Sequence, residues 1–166
     1  MNIIPLSKKY LEETVKMTGE IFPNDIAAIY SPSRSFRLSL KFEDKPELLK
    51  KNTRQRIGYW IVLNAKDEVI GVTGLYRMKT DPKELIWLGW YCVRADQRGK
   101  GLGRKLLEWT INMAKTEGYK KLKLYTSTDP NEARAQELYE KLGFKIVGEE
   151  INEGTYKTLY REKILK

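Results

Sequence analysis

Apolar residues recur at steps of three or four in some stretches and alternate in others, and these rhythms predict the elements. Asn2 to Pro5 reads as a short first strand, and Ser7 opens an amphipathic helix through about Glu20, with Leu11, Val15 and Met17 or Thr18 inward. Phe22-Pro23-Asn24-Asp25 breaks it, and Asn24 or Asp25 caps a second helix holding Ile26, Ile29 and Tyr30. Ser31-Pro32-Ser33 reads as a break, Phe36 to Phe42 as helix and Pro46 to Lys51 as one more helical turn. Tyr59 to Leu63 and Val69 to Tyr76, joined by a polar turn, read as a hairpin. A third strand begins at Glu84 and ends at Val93.

The chain then turns through Arg94-Ala95-Asp96-Gln97-Arg98-Gly99-Lys100-Gly101-Leu102-Gly103 into a helix with Leu102, Leu106, Trp109 and Met113 on one stripe, stopped at Gly118. Lys121 to Thr126 alternates as a strand. Asp129-Pro130-Asn131-Glu132 is a compact helix start, followed by an Ala135, Leu138, Leu142 stripe that ends at Gly143. Phe144 to Val147 and Thr155 to Glu162 read as closing strands around a turn at Asn152-Glu153-Gly154. Residues 1–166 are expected to form a single domain.

Strand, glycine turn and helix start together form an anion site. Glycine allows a tight bend and a close approach, and the first helical N–H groups lack internal partners. Those donors and the helix dipole attract a phosphate, reinforced by Arg98, Lys100, Arg104 and Lys105. The turn lacks the Gly-x-x-x-x-Gly-Lys-Ser/Thr run of nucleoside triphosphatases and the Gly-x-Gly-x-x-Gly fingerprint of dinucleotide folds. An ordinary strand-to-helix connection with solubilising lysines has the same outline.

Charge narrows the ligand. The chain carries a net +9, and nine of its basic residues against three acidic ones lie between Arg94 and Lys123. A nucleic-acid surface would explain the charge, whereas a compact polyphosphate explains the glycines too. With no histidine and one cysteine, a Ser-His-Asp triad and a His-based metal site are excluded, and no metal is expected. Lone Cys92, the lack of a signal-like start and the lack of an apolar run of about 18 residues point to a cytoplasmic chain without a membrane span.

Two motifs then carry a resemblance. Arg98-x-x-Gly101-x-Gly103 looks like the pyrophosphate-binding motif of the GNAT acetyltransferase superfamily. Asn131-x-Ala133-x-Ala135-x-x-Leu138-Tyr139-Glu140-Lys141-Leu142-Gly143-Phe144 resembles the late motif of that superfamily, in the right order behind it. The match is good from about Tyr59 to Phe144 and poor before it.

The resemblance implies an α+β GNAT fold: a mostly antiparallel mixed sheet of six to seven strands, flanked by helices and splayed at an acetyl-CoA cleft. It implies that backbone groups of Tyr91, Cys92 and Val93 hold the pantetheine arm. The pyrophosphate would rest on Arg98, Gly99, Lys100, Gly101, Leu102, Gly103 and Arg104, and Asn131 would reach the pantetheine amides. The Tyr139 hydroxyl would protonate or hydrogen-bond the leaving thiolate, although an aromatic on a helix stripe is also a core residue. Many relatives place a basic glutamate where Trp87 stands here, so the expected proton route is a water relay to backbone carbonyls or to Glu84, which would need a bend or water to reach the amine. Trp60, Tyr76, Trp87 and Trp90 are expected in the core and the acceptor wall, and Cys92 is expected to be buried and unreactive.

The implied activity is transfer of acetyl from acetyl-CoA to a primary amine by direct attack. The acceptor amine is unread, a homodimer is compatible with the resemblance, and neither nucleic acid nor membrane is an expected partner. A catalytically silent CoA-binding module and a basic nucleic-acid-binding domain are the competing readings.

Overall fold

The computed structural model describes residues 1–25, 31–51, 53–151 and 155–166. The expected helix over Ile26, Ile29 and Tyr30, and the turn at 152–154, lie outside them. In order come β1 (Asn2–Pro5), α1 (Leu11–Ile21), α2 (Pro32–Asp44), β2 (Arg54–Leu63), β3 (Val69–Met78), β4 (Leu85–Leu88), β5 (Cys92–Val93), α3 (Leu102–Thr116), β6 (Lys121–Ser127), α4 (Ala133–Lys141), β7 (Lys145–Ile151) and β8 (Lys157–Ile164). The class is α+β, with one mixed sheet in the order β1-β2-β3-β4-β6-β8-β7 and β5 paired to β3. Among the described residues, only the β4–β6 pairing is parallel. The sheet has eight strands, not six to seven, because the strand expected from Glu84 to Val93 is broken into β4 and β5.

Strand alternation separates two cores. Ile57, Tyr59, Ile61 and Val72 pack against Tyr10, Met17, Phe36 and Leu40 of the α1/α2 side. Leu75, Ile86, Leu122 and Leu124 pack against Leu107 and Ile111 of α3 and Tyr139 of α4. The Ser31-Pro32-Ser33 stretch, expected to break the chain, instead starts α2. The Ser31 hydroxyl accepts from the Arg34 N–H at 3.4 Å and Pro32 occupies the first turn. There proline costs no hydrogen bond, because that N–H would be unpaired anyway.

The break between β4 and β5 positions the site. Leu88 and Tyr91 both contact the α3/α4 core, although an odd number of steps separates them, so one extra residue has been inserted. Gly89 donates to the Gly74 carbonyl at 2.7 Å, and a Cβ on Gly89 would sit 2.8 Å from the Tyr59 hydroxyl. Glycine is therefore required by Tyr59, whose ring is buried and whose phenol is pushed up to about 12 mainly by that burial. After the bulge the chain leaves β6. Parallel pairing stops at Trp87 opposite Lys123, whereas β6 continues to Ser127 with β8 alone beside it.

Candidate active site

The diverging strands leave a gap with two open edges, Tyr91 to Val93 on one side and Leu124 to Ser127 on the other. The α3 turn lies at its wide end. Gly99 and Gly101 both have φ of 76°, left-handed backbone that side chains resist, and no atom stands within 4 Å of a Cβ placed on either. These glycines serve conformation and leave open space above the turn. Among the described residues, no backbone carbonyl accepts from the N–H groups of residues 99–104, and Gly101 caps α3 without side-chain help. Six donors and a helix N-terminus thus lie together in this turn.

The turn is braced from beneath. The Arg98 Nε donates to the Val93 carbonyl at 3.1 Å, and the Lys100 Nζ to the Asp96 carbonyl at 3.1 Å. Arg94 binds Asp96 at 2.7 Å and, with Gln97, holds that carboxyl down to about 2. The Tyr91 hydroxyl donates to the Gly103 carbonyl at 2.8 Å, which fixes the bulge to the first turn of α3. A Cβ on Gly103 would lie 3.0 Å from that hydroxyl, so here glycine is needed for space. Arg104 is exposed and pairs with Glu108 at 2.8 Å.

At the narrow end, Tyr139 comes off α4 with its ring 6.3 Å from Tyr91 and 5.8 Å from Phe144. It is buried, and burial above all raises its phenol from the ordinary value. Such a group stays protonated and can donate a hydrogen bond throughout the neutral range. Asn131 is exposed on the turn preceding α4. Its N–H donates to Asp129 at 2.9 Å, and neighbouring Glu132 accepts from the Ser127 hydroxyl at 2.5 Å and from Thr126. That turn is thereby tied to the end of β6 at the mouth of the gap.

Glu84 lies apart from these groups. It is exposed before β4, and its carbonyl accepts from the Lys120 and Lys121 N–H groups at the end of the strand away from the gap. Seven positions separate it from Tyr91, on the order of 20 Å of strand, and the bulge does not fold it back. Cys92 is buried with its thiol pushed up to about 12 chiefly by burial, as an inert side chain should be. Trp60 packs on Trp109 and Trp90 on Phe22, both in the two cores. Tyr76 and Trp87 instead stack, 6.3 Å apart, in a cavity of about 320 Å³ on the α1/α2 face. Arg54, Asp81, Tyr125 and Tyr160 also line it, and the sequence reading missed all four. For Tyr125 and Tyr160 the signal was alternation in phase across neighbouring strands, visible only once the register is known; Arg54 and Asp81 carried none.

Comparison with known proteins agrees with this geometry. The acetyltransferase (GNAT) family model matches residues 24–144. The fold superimposes on a crystal structure of aminoglycoside 6'-acetyltransferase type Ii with a TM-score of 0.75 at 18% identity, covering 100% of this chain and 98% of that one. An N-acetyltransferase from Staphylococcus aureus Mu50 gives 0.73 at 22% identity over 99% and 98% of the two chains. An aminoglycoside 6'-N-acetyltransferase complexed with coenzyme A gives 0.71 at 17% over 100% and 98%. No curated protein matches the chain. Sheet, gap and glycine turn define an acyltransferase-type scaffold, and with the family model spanning most of its length the chain belongs to the GNAT acetyltransferase family.

Proposed function

We propose that this protein transfers the acetyl group of acetyl-CoA to a primary amine, with the whole chain as one catalytic domain. The observation that carries the reading is the run of open N–H groups from Gly99 to Arg104, aligned through Tyr91 with the gap and with Tyr139. Acetyl-CoA supplies the activated acyl carbon. The N–H groups of residues 99–104 would hold its diphosphate, with Arg98, Lys100 and Arg104 adding charge. The open edge of Tyr91, Cys92 and Val93 would bond the amides of the pantetheine arm, with Asn131 reaching it from the mouth of the gap.

Tyr139 then acts on the leaving sulfur. Full proton transfer from a phenol near 10 to a thiolate near 8.5 is uphill by reference values. Burial raises the Tyr139 phenol further and makes transfer harder still. Its work is therefore to donate a hydrogen bond to the charge that develops as the C–S bond breaks. The amine must lose a proton before attack, and with Glu84 remote that proton leaves through water along the open strand edges. A cytoplasmic location fits the free thiol of Cys92.

Aminoglycosides, named for two of the similar structures, carry several ammonium groups and need an acidic site. The net +9 here argues for a different acceptor. An amine panel with free thiol followed as coenzyme A is released tests the proposal. Turnover with at least one amine is the expected result. Binding of coenzyme A with no turnover on any amine would leave a silent binding module.

A further inference from the structure

The gap has two faces, and Tyr139 stands on one of them. Leu75, Ile86 and Leu124 point into the α3/α4 core that holds Tyr139, so strand alternation turns Tyr76, Trp87 and Tyr125 to the opposite face. An acceptor that attacks the thioester from across the sheet meets these rings first. Trp87 opposite Lys123 is the last pair of β4 and β6, and Tyr125 lies two positions further along β6, beside the gap. The cavity of about 320 Å³ lined by Tyr76, Trp87, Tyr125 and Tyr160 therefore adjoins the parting strands. Its volume is at the small end of the roughly 300–1,000 Å³ range of small-molecule sites, room for one ring and a short chain.

The rings are set to receive another ring. Tyr76 and Trp87, direct partners across β3 and β4, present planes only 17° apart with centres at 6.3 Å. Tyr160 stands edge-on to Trp87, at 80° and 6.4 Å, and Tyr125 is tilted against Tyr160 at 6.5 Å. One cavity thus offers both a face and an edge, the two arrangements that aromatic pairs prefer.

The charges nearby are already engaged. The Arg54 guanidinium, 7% exposed, lies 4.9 Å from the Tyr76 ring centre and is held within the chain. The Lys123 ammonium lies 5.6 Å from the Trp87 ring and 3.7 Å from Glu162, which Lys121 also meets at 3.4 Å. The Asp81 Oδ2 accepts from the Met78 N–H at 2.8 Å and from the Trp87 Nε1–H at 3.1 Å, so this carboxylate ties its own loop to the wall. Burial raises the Tyr76 phenol and keeps it neutral. A second ammonium on the acceptor would meet the two cations that lie on these rings. A carboxylate would meet Asp81, with Arg54 already engaged.

Building on the acyl-transfer reading, we infer that the acceptor is an aryl-alkyl monoamine, a primary amine on a short chain that ends in an uncharged aromatic ring. The ring lies among Tyr76, Trp87 and Tyr160, and the amine reaches past Tyr125 to the thioester in the gap. The neutral amine nitrogen bonds the acetyl carbon, the C–S bond breaks, and the amine's proton reaches the leaving sulfur through water.

Four acceptors decide the matter: phenylethylamine, hexylamine of similar reach, and the diamine and ω-amino acid of hexylamine's chain length. In the wild-type enzyme kcat/KM should be highest for phenylethylamine, exceeding hexylamine by about fivefold, the size expected of favourable ring–ring contacts. Hexylamine should exceed the diamine and the amino acid by about tenfold or more, since each brings an unmatched charge among the rings. In Trp87→Leu the phenylethylamine-to-hexylamine ratio should fall to about one, through KM, and Trp87→Phe should keep most of it. A diamine or amino acid as good as hexylamine, hexylamine as good as phenylethylamine, a ratio unchanged in Trp87→Leu, or turnover confined to amines outside this series would each overturn the inference. The wild-type ranking stands on its own if the Trp87 variants fail to fold. Absence of turnover with every amine, these four included, would remove the acyl-transfer reading and this inference with it.

Discussion

The two faces of the gap are made of different materials. On the α3 side the contacts offered to a ligand are backbone N–H groups, presented by glycines whose φ of 76° holds the turn open. On the α1/α2 side they are side chains from four strands, Tyr76, Trp87, Tyr125 and Tyr160, brought together only by strand register. A backbone site recognises what every acetyl donor shares and tolerates little change. A side-chain site can be rewritten residue by residue while the sheet stays the same.

The comparison breaks most readily at Gly101. A Cβ there meets no neighbour, so the main effect of valine comes from forcing a branched residue into left-handed backbone, on the order of 1–3 kcal/mol. We expect Gly101→Val to weaken coenzyme A binding by roughly 100-fold in a calorimetric titration, for a loss near the top of that range. Tyr139→Phe should come next, lowering kcat by about tenfold or more with coenzyme A affinity nearly unchanged. Because burial raises this phenol, the wild-type rate should show no loss from its ionisation as pH climbs toward about 10, the reference phenol value.

Tyr91→Phe sharpens the comparison further, since it removes one hydrogen bond between the bulge and the helix without touching the N–H groups. Its loss should cost about 1 kcal/mol in a denaturant melt and weaken coenzyme A binding by about fivefold. Glu84→Gln should do least, leaving kcat within about twofold of wild type, because an exposed substitution away from the site is nearly neutral.

The same division decides what could be read from the chain alone. Gly99, Gly101 and Gly103 announce the turn before α3 because glycine has few other reasons to recur there, and Asp129-Pro130 announces the start before α4 through capping chemistry. The hairpin of β2 and β3 followed from two apolar runs around a polar turn, although both strands run longer than those runs suggest. The bulge was not readable, because Gly89 is required by the Tyr59 hydroxyl thirty positions away in sequence. Glu84 stands seven positions before Tyr91 whether or not the strand is broken, so its distance from the gap is legible in the chain itself. Arg54 and Asp81 carry no local pattern, and their convergence depends on the register of β2 against β3 and on the loop before β4.

Everything about the reaction follows from where the diphosphate of coenzyme A sits, and the amide resonances of the chain report that directly during a titration. The account predicts that the Gly99, Gly101 and Gly103 N–H signals move most and saturate together, with Tyr91 to Val93 following along the strand edge. Signals of these glycines that stay in place while coenzyme A perturbs another region would contradict it.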